Sequence, residues 1–201
     1  MSTSYANSLY RIFNRVSLIC WIILLITTST LWGCKSAVTD TVVNNTIYNT
    51  AIKFSKTKNW VYDAAYYSIP YPNGDVPSGG ACSDVIIRVL RANGVDLQKE
   101  LHEDMNSHFD LYPNKWGLTK PDANIDHRRV PNLMTYFKRK GWTADSTWKP
   151  GDIVCWELSP GITHIGILLS GESVYHNIGP VAKIDDNFLF RYNIIGHYRI
   201  N

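Results

Sequence analysis

The chain has 201 residues, 45% hydrophobic and 18% charged, and 12% are aromatic. That composition excludes an intrinsically disordered chain, and 13 Gly and 9 Pro without a period exclude collagen-like or low-complexity material. A formal charge of +3 is too small to argue for a nucleic-acid partner.

Arg11 and Arg15 are the only charges before Lys35, and the strongly apolar centre from Leu18 to Ile26 decays into Thr27, Thr28, Ser29 and Thr30. A membrane-spanning helix needs about 20 predominantly apolar residues. A positive start, a short apolar core and a small residue before a break read instead as a secretory signal. The break, Leu31-Trp32-Gly33-Cys34, resembles the lipobox of bacterial lipoproteins, although Trp32 stands where a small residue is usual. The resemblance implies a signal peptide over 1–33, a diacylglyceryl group on Cys34, and a secreted protein anchored to the membrane through that lipid. Lys35, rather than an aspartate, follows the cysteine, which favours the periplasmic face of the outer membrane. Removal of residues 1–33 takes away two arginines and no acid, so the mature charge gives no clue to partners. Of the four cysteines, Cys82 and Cys155 then remain. The two could pair in an oxidising compartment, but they are too few to be a disulfide framework.

Residues 34–45 read as a tether and 46–201 as one domain. Ile47, Ala51, Ile52 and Phe54 recur at helical spacing, which predicts a first helix near 44–57. Ile69 to Pro77 holds three prolines and must be loop. A second helix is predicted over 82–93, ending at Asn93-Gly94, and a third over 96–108 with Leu97, Leu101 and Met105 on one face. Residues 109–130 carry no period and two prolines, a loop long enough to be functional. Pro131 and Gly141 bracket a short fourth helix. Past Pro150-Gly151 the pattern turns to strands: Asp152–Leu158, His164–Leu169, Val174–Asn177, and later stretches toward Ile194–Ile200. Helices first and an antiparallel sheet after them make an α+β domain.

Cys82 follows Gly79-Gly80-Ala81 and opens the second helix, at the first turn of the stripe Val85, Ile86, Val89, Leu90. Free N–H groups and the positive end of the helix dipole favour a thiolate there and can hold an oxyanion. Ser170-Gly171-Glu172 is a turn, and a hairpin centred near residue 170 sets His164 opposite His176. One imidazole could then accept the thiol proton while the second orients it, the generalised triad arrangement, or the two are surface histidines on a strand. Tyr71 and Asn73 are candidate substrate or oxyanion donors, although Asn73-Gly74 is also an ordinary turn pair. Arg128 and Arg129, in Asp126-His127-Arg128-Arg129, could bind a carboxylate or phosphate, or tie the long loop to the body.

Other chemistries fit poorly. His102-Glu103-Asp104 is not followed by a histidine at zinc spacing, and no Cys-x-x-Cys occurs, so no metal is expected. No phosphate loop or dinucleotide fingerprint is present, so no cofactor is expected either. Cys155 alternates with Val154 and Trp156 and reads as packing.

Gly80-Ala-Cys82-Ser-Asp-Val-Ile-Ile-Arg88, Pro150-Gly-Asp-Ile-Val154 and His164-Ile-Gly-Ile167 resemble the nucleophile, strand and histidine motifs of NlpC-like papain-fold cysteine peptidases. More closely, the chain resembles a bacterial family named only as domain of unknown function 1287. The resemblance is carried by Tyr71-Pro-Asn-Gly-Asp75, Cys82-Ser-Asp84, Ile125-Asp-His-Arg-Arg129, His164-Ile-Gly166, His176-Asn-Ile-Gly179 and Gly196-His-Tyr-Arg199. It implies a papain-like fold with N-terminal helices packed on a C-terminal antiparallel sheet, Cys82 as nucleophile, His164 as general base and His176 as the orienting residue. Many NlpC-like enzymes grip a substrate amine with an aspartate just before the cysteine. Ala81 stands there, and Asp84, the candidate for a related substrate-binding role, projects about 200° around the helix from Cys82.

The expectation is a cell-envelope cysteine hydrolase, an amidase or peptidase acting on peptidoglycan stem peptides or another envelope acyl substrate. The rivals are an acyltransferase or esterase with the same triad, and a non-catalytic envelope-binding lipoprotein.

Overall fold

The computed structural model describes residues 42–200. The expected signal peptide, the expected lipid site Cys34 and most of the expected tether lie outside the described residues. Residues 42–57 are helical (α1), so the helix takes in positions 42–45, which the sequence pattern assigns to the tether. Asn44 is why they belong to the body: it is buried and its Nδ2 donates to Asp152 Oδ1 at 2.9 Å.

Three further helices follow, α2 (Cys82–Ala92), α3 (Leu97–His108) and α4 (Val130–Arg139). In α2 every residue from Cys82 to Leu90 is buried, so this is a central helix and not a surface one. Val85, Ile86, Val89 and Leu90 are within 1% of full burial, and each such aliphatic side chain contributes roughly 1.5–3 kcal/mol by leaving water. Asp96 caps α3 by accepting from Lys99 N–H, and Leu97, Leu101 and Met105 form its buried stripe. Pro131 sits in the first turn of α4, where its missing N–H costs nothing. The long loop before α4 carries two 3₁₀ turns, Phe109–Leu111 and Asp126–Arg128.

The C-terminal half is a five-stranded antiparallel sheet: β1 (Ile153–Ser159), β2 (Ile162–Leu168), β3 (Val174–His176), β4 (Lys183–Asp185) and β5 (Asn193–Tyr198), in the order β4-β3-β2-β1-β5. The domain is therefore α+β, with the helices on one face of the sheet. Strand alternation divides the side chains between two cores. Ile153, Cys155, Ile165, Ile167 and Tyr175 meet the helices, whereas Val154, Trp156, Leu168 and Val174 pack with Phe188 and Leu189 on the far face. Asp152 fastens the start of β1, since its carboxylate also accepts from His197 and from Arg199 near the C-terminus.

Candidate active site

The start of α2 is held by glycine geometry. Gly80 has φ +142°, and a Cβ there would stand 2.7 Å from the Asp84 Cβ. Its N–H donates to Val61 O at 2.9 Å, its carbonyl accepts from Asp63 N–H, and Asn177 Nδ2 donates to the same carbonyl at 2.8 Å. Asn177 follows directly on β3, so the loop that presents Cys82 is pinned to the end of that strand.

The two histidines come together differently from the sequence expectation. Ile167 pairs with Tyr175 and Leu168 with Val174, which centres the hairpin on Gly171, not residue 170. Continued by one residue, that register sets His176 against Gly166, so His164 is a diagonal neighbour on the same face. Gly166 makes the diagonal possible: a Cβ there would lie 2.5 Å from a Val174 methyl and 3.1 Å from the His176 Cβ. With no side chain between them, His164 Nε2 and His176 Nδ1 meet at 2.7 Å. Both imidazoles are buried on the far face, edge-on to Phe188 at 5.7 and 4.2 Å, and His164 also lies against Trp156.

Main-chain direction shows which edge of β2 stays open beside His164. Leu168 N–H donates to Asp152 O on the β1 side, and Leu169 N–H to Ser173 O on the β3 side. Odd-numbered amides of this stretch therefore point toward β3, whose pairing with β2 stops at Ile167–Tyr175. The Ile165 N–H is left facing the gap, and it is among the main-chain N–H groups that favour the Cys82 thiolate.

Burial decides the protonation states. It pushes the Cys82 thiol up to about 11, outweighing the N–H groups of Ile165, Ser83 and Cys82 that would stabilise a thiolate. Burial, helped by His176, holds His164 down to about 3. Burial likewise holds His176 down to about 4, with Asp185 acting in the opposite sense. The helix start alone leads one to expect a thiolate. Burial acts the other way, favouring a neutral thiol and neutral imidazoles, and no hydrogen bond joins the thiol to either ring among the described residues. Cys82 and Cys155 are both free and buried, so they do not form a disulfide.

The other candidate residues lie in three places. Asp84 turns away from Cys82, as its angle predicts, and accepts from Ala81 N–H at 2.6 Å and from Arg128 Nε and Nη2 at 2.9 and 3.0 Å. Arg128 spends its remaining donors on Ala65 O and Asp63 O, and the pair is almost wholly buried. Arg129 is ion-paired to Asp126 and stacks over Trp116 at 4.1 Å. Asn73 Oδ1 accepts from Arg91 Nε, at the end of α2 that lies about 13 Å of helix rise from Cys82. Tyr71 packs edge-on against His102 of α3. The structure does not bring Tyr71 or Asn73 to the thiol, and it turns Asp84 and Arg128 into a brace beneath it.

The residue that the sequence pattern does not single out is Tyr62. It is bridged to Gly80 and nearly half exposed, and partial burial of its phenol, then the Cys82 charge, push its pKa up. It sits in an irregular stretch with no period to mark it. Among the described residues, no three His, Cys, Asp or Glu side chains converge as a metal site would require.

Comparison with known proteins places the sequence but not its chemistry. The chain is 50% identical over 150 residues to an uncharacterized protein, YijF, of Escherichia coli (strain K12), across 69% of this chain and 73% of that one. Two solved structures, NlpC1 and NlpC2 from Trichomonas vaginalis, align over 76% of the chain at TM-score 0.43 with 16% and 14% identity. The chain spans only 43% and 45% of their lengths, and a likeness at that level carries no argument. Residues 49–200 match the family described as domain of unknown function (DUF1287), and the chain belongs to that family.

Proposed function

We propose that the protein is a cysteine hydrolase of the cell envelope that cleaves an amide in peptidoglycan stem peptides, anchored as a lipoprotein through Cys34. One observation carries the reading: a buried thiol opens a helix that packs on β2, and the ring of His164 on that strand is bonded at 2.7 Å to a second buried histidine. Buried imidazoles bonded to each other beside a buried thiol have no packing role that an apolar pair would not serve better.

The neutral resting state selects the order of events. His164 Nε2 is engaged by His176, which leaves Nδ1 for the thiol proton. As the sulfur–carbon bond forms at the substrate carbonyl, the thiol proton passes to Nδ1. General-base transfer during attack replaces a pre-formed ion pair. Main-chain N–H groups at the start of α2 face the developing oxyanion. The carbon–nitrogen bond then breaks, His164 returns the proton to the leaving amine, and an acyl thioester remains on Cys82. Water attacks the thioester with His164 again as base, releasing the carboxylate product and the thiol. The substrate rests on the expected compartment, and the free-amine grip of NlpC-like enzymes has no counterpart here because Asp84 is occupied by Arg128.

Purified full-length protein incubated with purified sacculi tests this. Release of soluble muropeptides by the native protein and none by Cys82→Ala is the expected result. Equal release by both would end the nucleophile assignment.

A further inference from the structure

The histidine pair has a third partner on the next strand. In the β3–β4 ladder Val174 pairs with Asp185 and His176 with Lys183, so Asp185 is the diagonal neighbour of His176. Its Oδ2 lies 3.8 Å from His176 Nε2, beyond hydrogen-bond length. It is held in front of that nitrogen by Lys183 and Arg191, each 3.3 Å away, and the Arg191 guanidinium lies over Phe188 at 5.2 Å. His176 Nε2 is itself buried and has no hydrogen-bond partner among the described residues.

Tautomers link these facts. For His164 Nδ1 to accept a thiol proton it must be bare, so the ring proton is on Nε2 and is donated to His176 Nδ1. His176 Nδ1 is then an acceptor, and its own proton must be on Nε2, the buried nitrogen that faces Asp185. The opposite arrangement, with His176 donating from Nδ1, would force the His164 proton onto Nδ1 and leave no base for the thiol.

We propose that Asp185 is a positioning residue that fixes His176, and through it His164, in the Nε2–H tautomer, so that His164 offers a bare Nδ1 to Cys82. This rests on the Cys82–His164–His176 reading above. Asp185 touches no substrate and takes no proton. A movement of about 1 Å brings its carboxylate to hydrogen-bond distance, and Lys183 and Arg191 are the cations that could hold it back. This is the carboxylate of the familiar base–orienter arrangement moved one residue further along the chain of bonds.

Imidazole ¹⁵N shifts of the detergent-solubilised full chain, labelled at its 6 histidines, read the tautomers directly. His164 and His176 should both be Nε2–H in the native protein. Asp185→Asn can present its amide N–H to His176 Nε2 and should move both rings to Nδ1–H, while Asp185→Glu should restore the native pattern. A native His176 in the Nδ1–H form, or an Asp185→Asn spectrum identical to native, overturns the proposal. A separate arm measures muropeptide release by His164→Ala. Unimpaired release there would sink the triad reading itself while leaving the tautomer result standing.

Discussion

Two buried polar clusters flank the first turn of α2, and they are built in opposite ways. In one, Asp84 and Arg128 use their oxygens and nitrogens on each other and on main-chain groups at Ala81, Ala65 and Asp63. In the other, Cys82, His164 and His176 are held neutral by burial, and His176 Nε2 is left without a partner among the described residues. A saturated cluster has no bonding capacity left for a ligand and acts as a brace. An unsaturated one keeps bonding capacity in reserve, here at His176 Nε2. Chemistry is assigned to the second cluster on that ground, although residues of both stand in the motifs that carry the family resemblance.

The contrast can be broken from either side. His164→Ala, on the unsaturated side, should lower muropeptide release by about 10²- to 10⁴-fold, the usual worth of a positioned general base, with an unchanged far-ultraviolet circular dichroism spectrum. A variant that releases as fast as native would move the chemistry elsewhere. On the saturated side, Arg128→Met strands a buried carboxylate and should cost about 3–5 kcal/mol of folding stability, read from the urea midpoint. A change below about 1 kcal/mol would mean that the pair is not the brace described.

The pH dependence of stability tests the unsaturated side a second way. His127 and His164 titrate at about 3 and His176 at about 4 in the folded state, each held down chiefly by burial, against an ordinary value of 6.5. Between those limits the unfolded chain binds more protons, so stability should fall as pH drops from about 6.5 toward 4, and level off above 6.5. His176→Gln should take up about one proton fewer on unfolding across that window. Urea midpoints that stay flat from about pH 7 to pH 4 would contradict the burial of neutral imidazoles.

Much of this arrangement is legible in the order of the amino acids. The Gly79-Gly80 pair, the apolar stripe after Cys82 and the switch from helical to alternating patterning near Gly151 locate the helix that Cys82 opens and the sheet. The hairpin register is not legible to the residue. Moving its centre from 170 to 171 replaces a facing pair by a diagonal one, and only Gly166 hints at it. Arg128 and Asp84 are 44 positions apart, so nothing local predicts that they neutralise each other. Tyr62 and Asp185 sit in an irregular stretch and a three-residue strand, where periodicity has no purchase. The protonation state of the thiol is the clearest case. Its place at a helix start is written in the sequence, but the desolvation that reverses the sign of the effect comes from β2 and the core around it.

The account turns on a thiol that is neutral at rest, and the rate of iodoacetamide alkylation of Cys82 against pH, followed by mass, tests it most directly. The rate should stay low through neutrality and climb with a midpoint well above that of a free cysteine, toward about 11. A fast, pH-independent rate from about pH 5 upward would reveal a standing thiolate–imidazolium pair and contradict it.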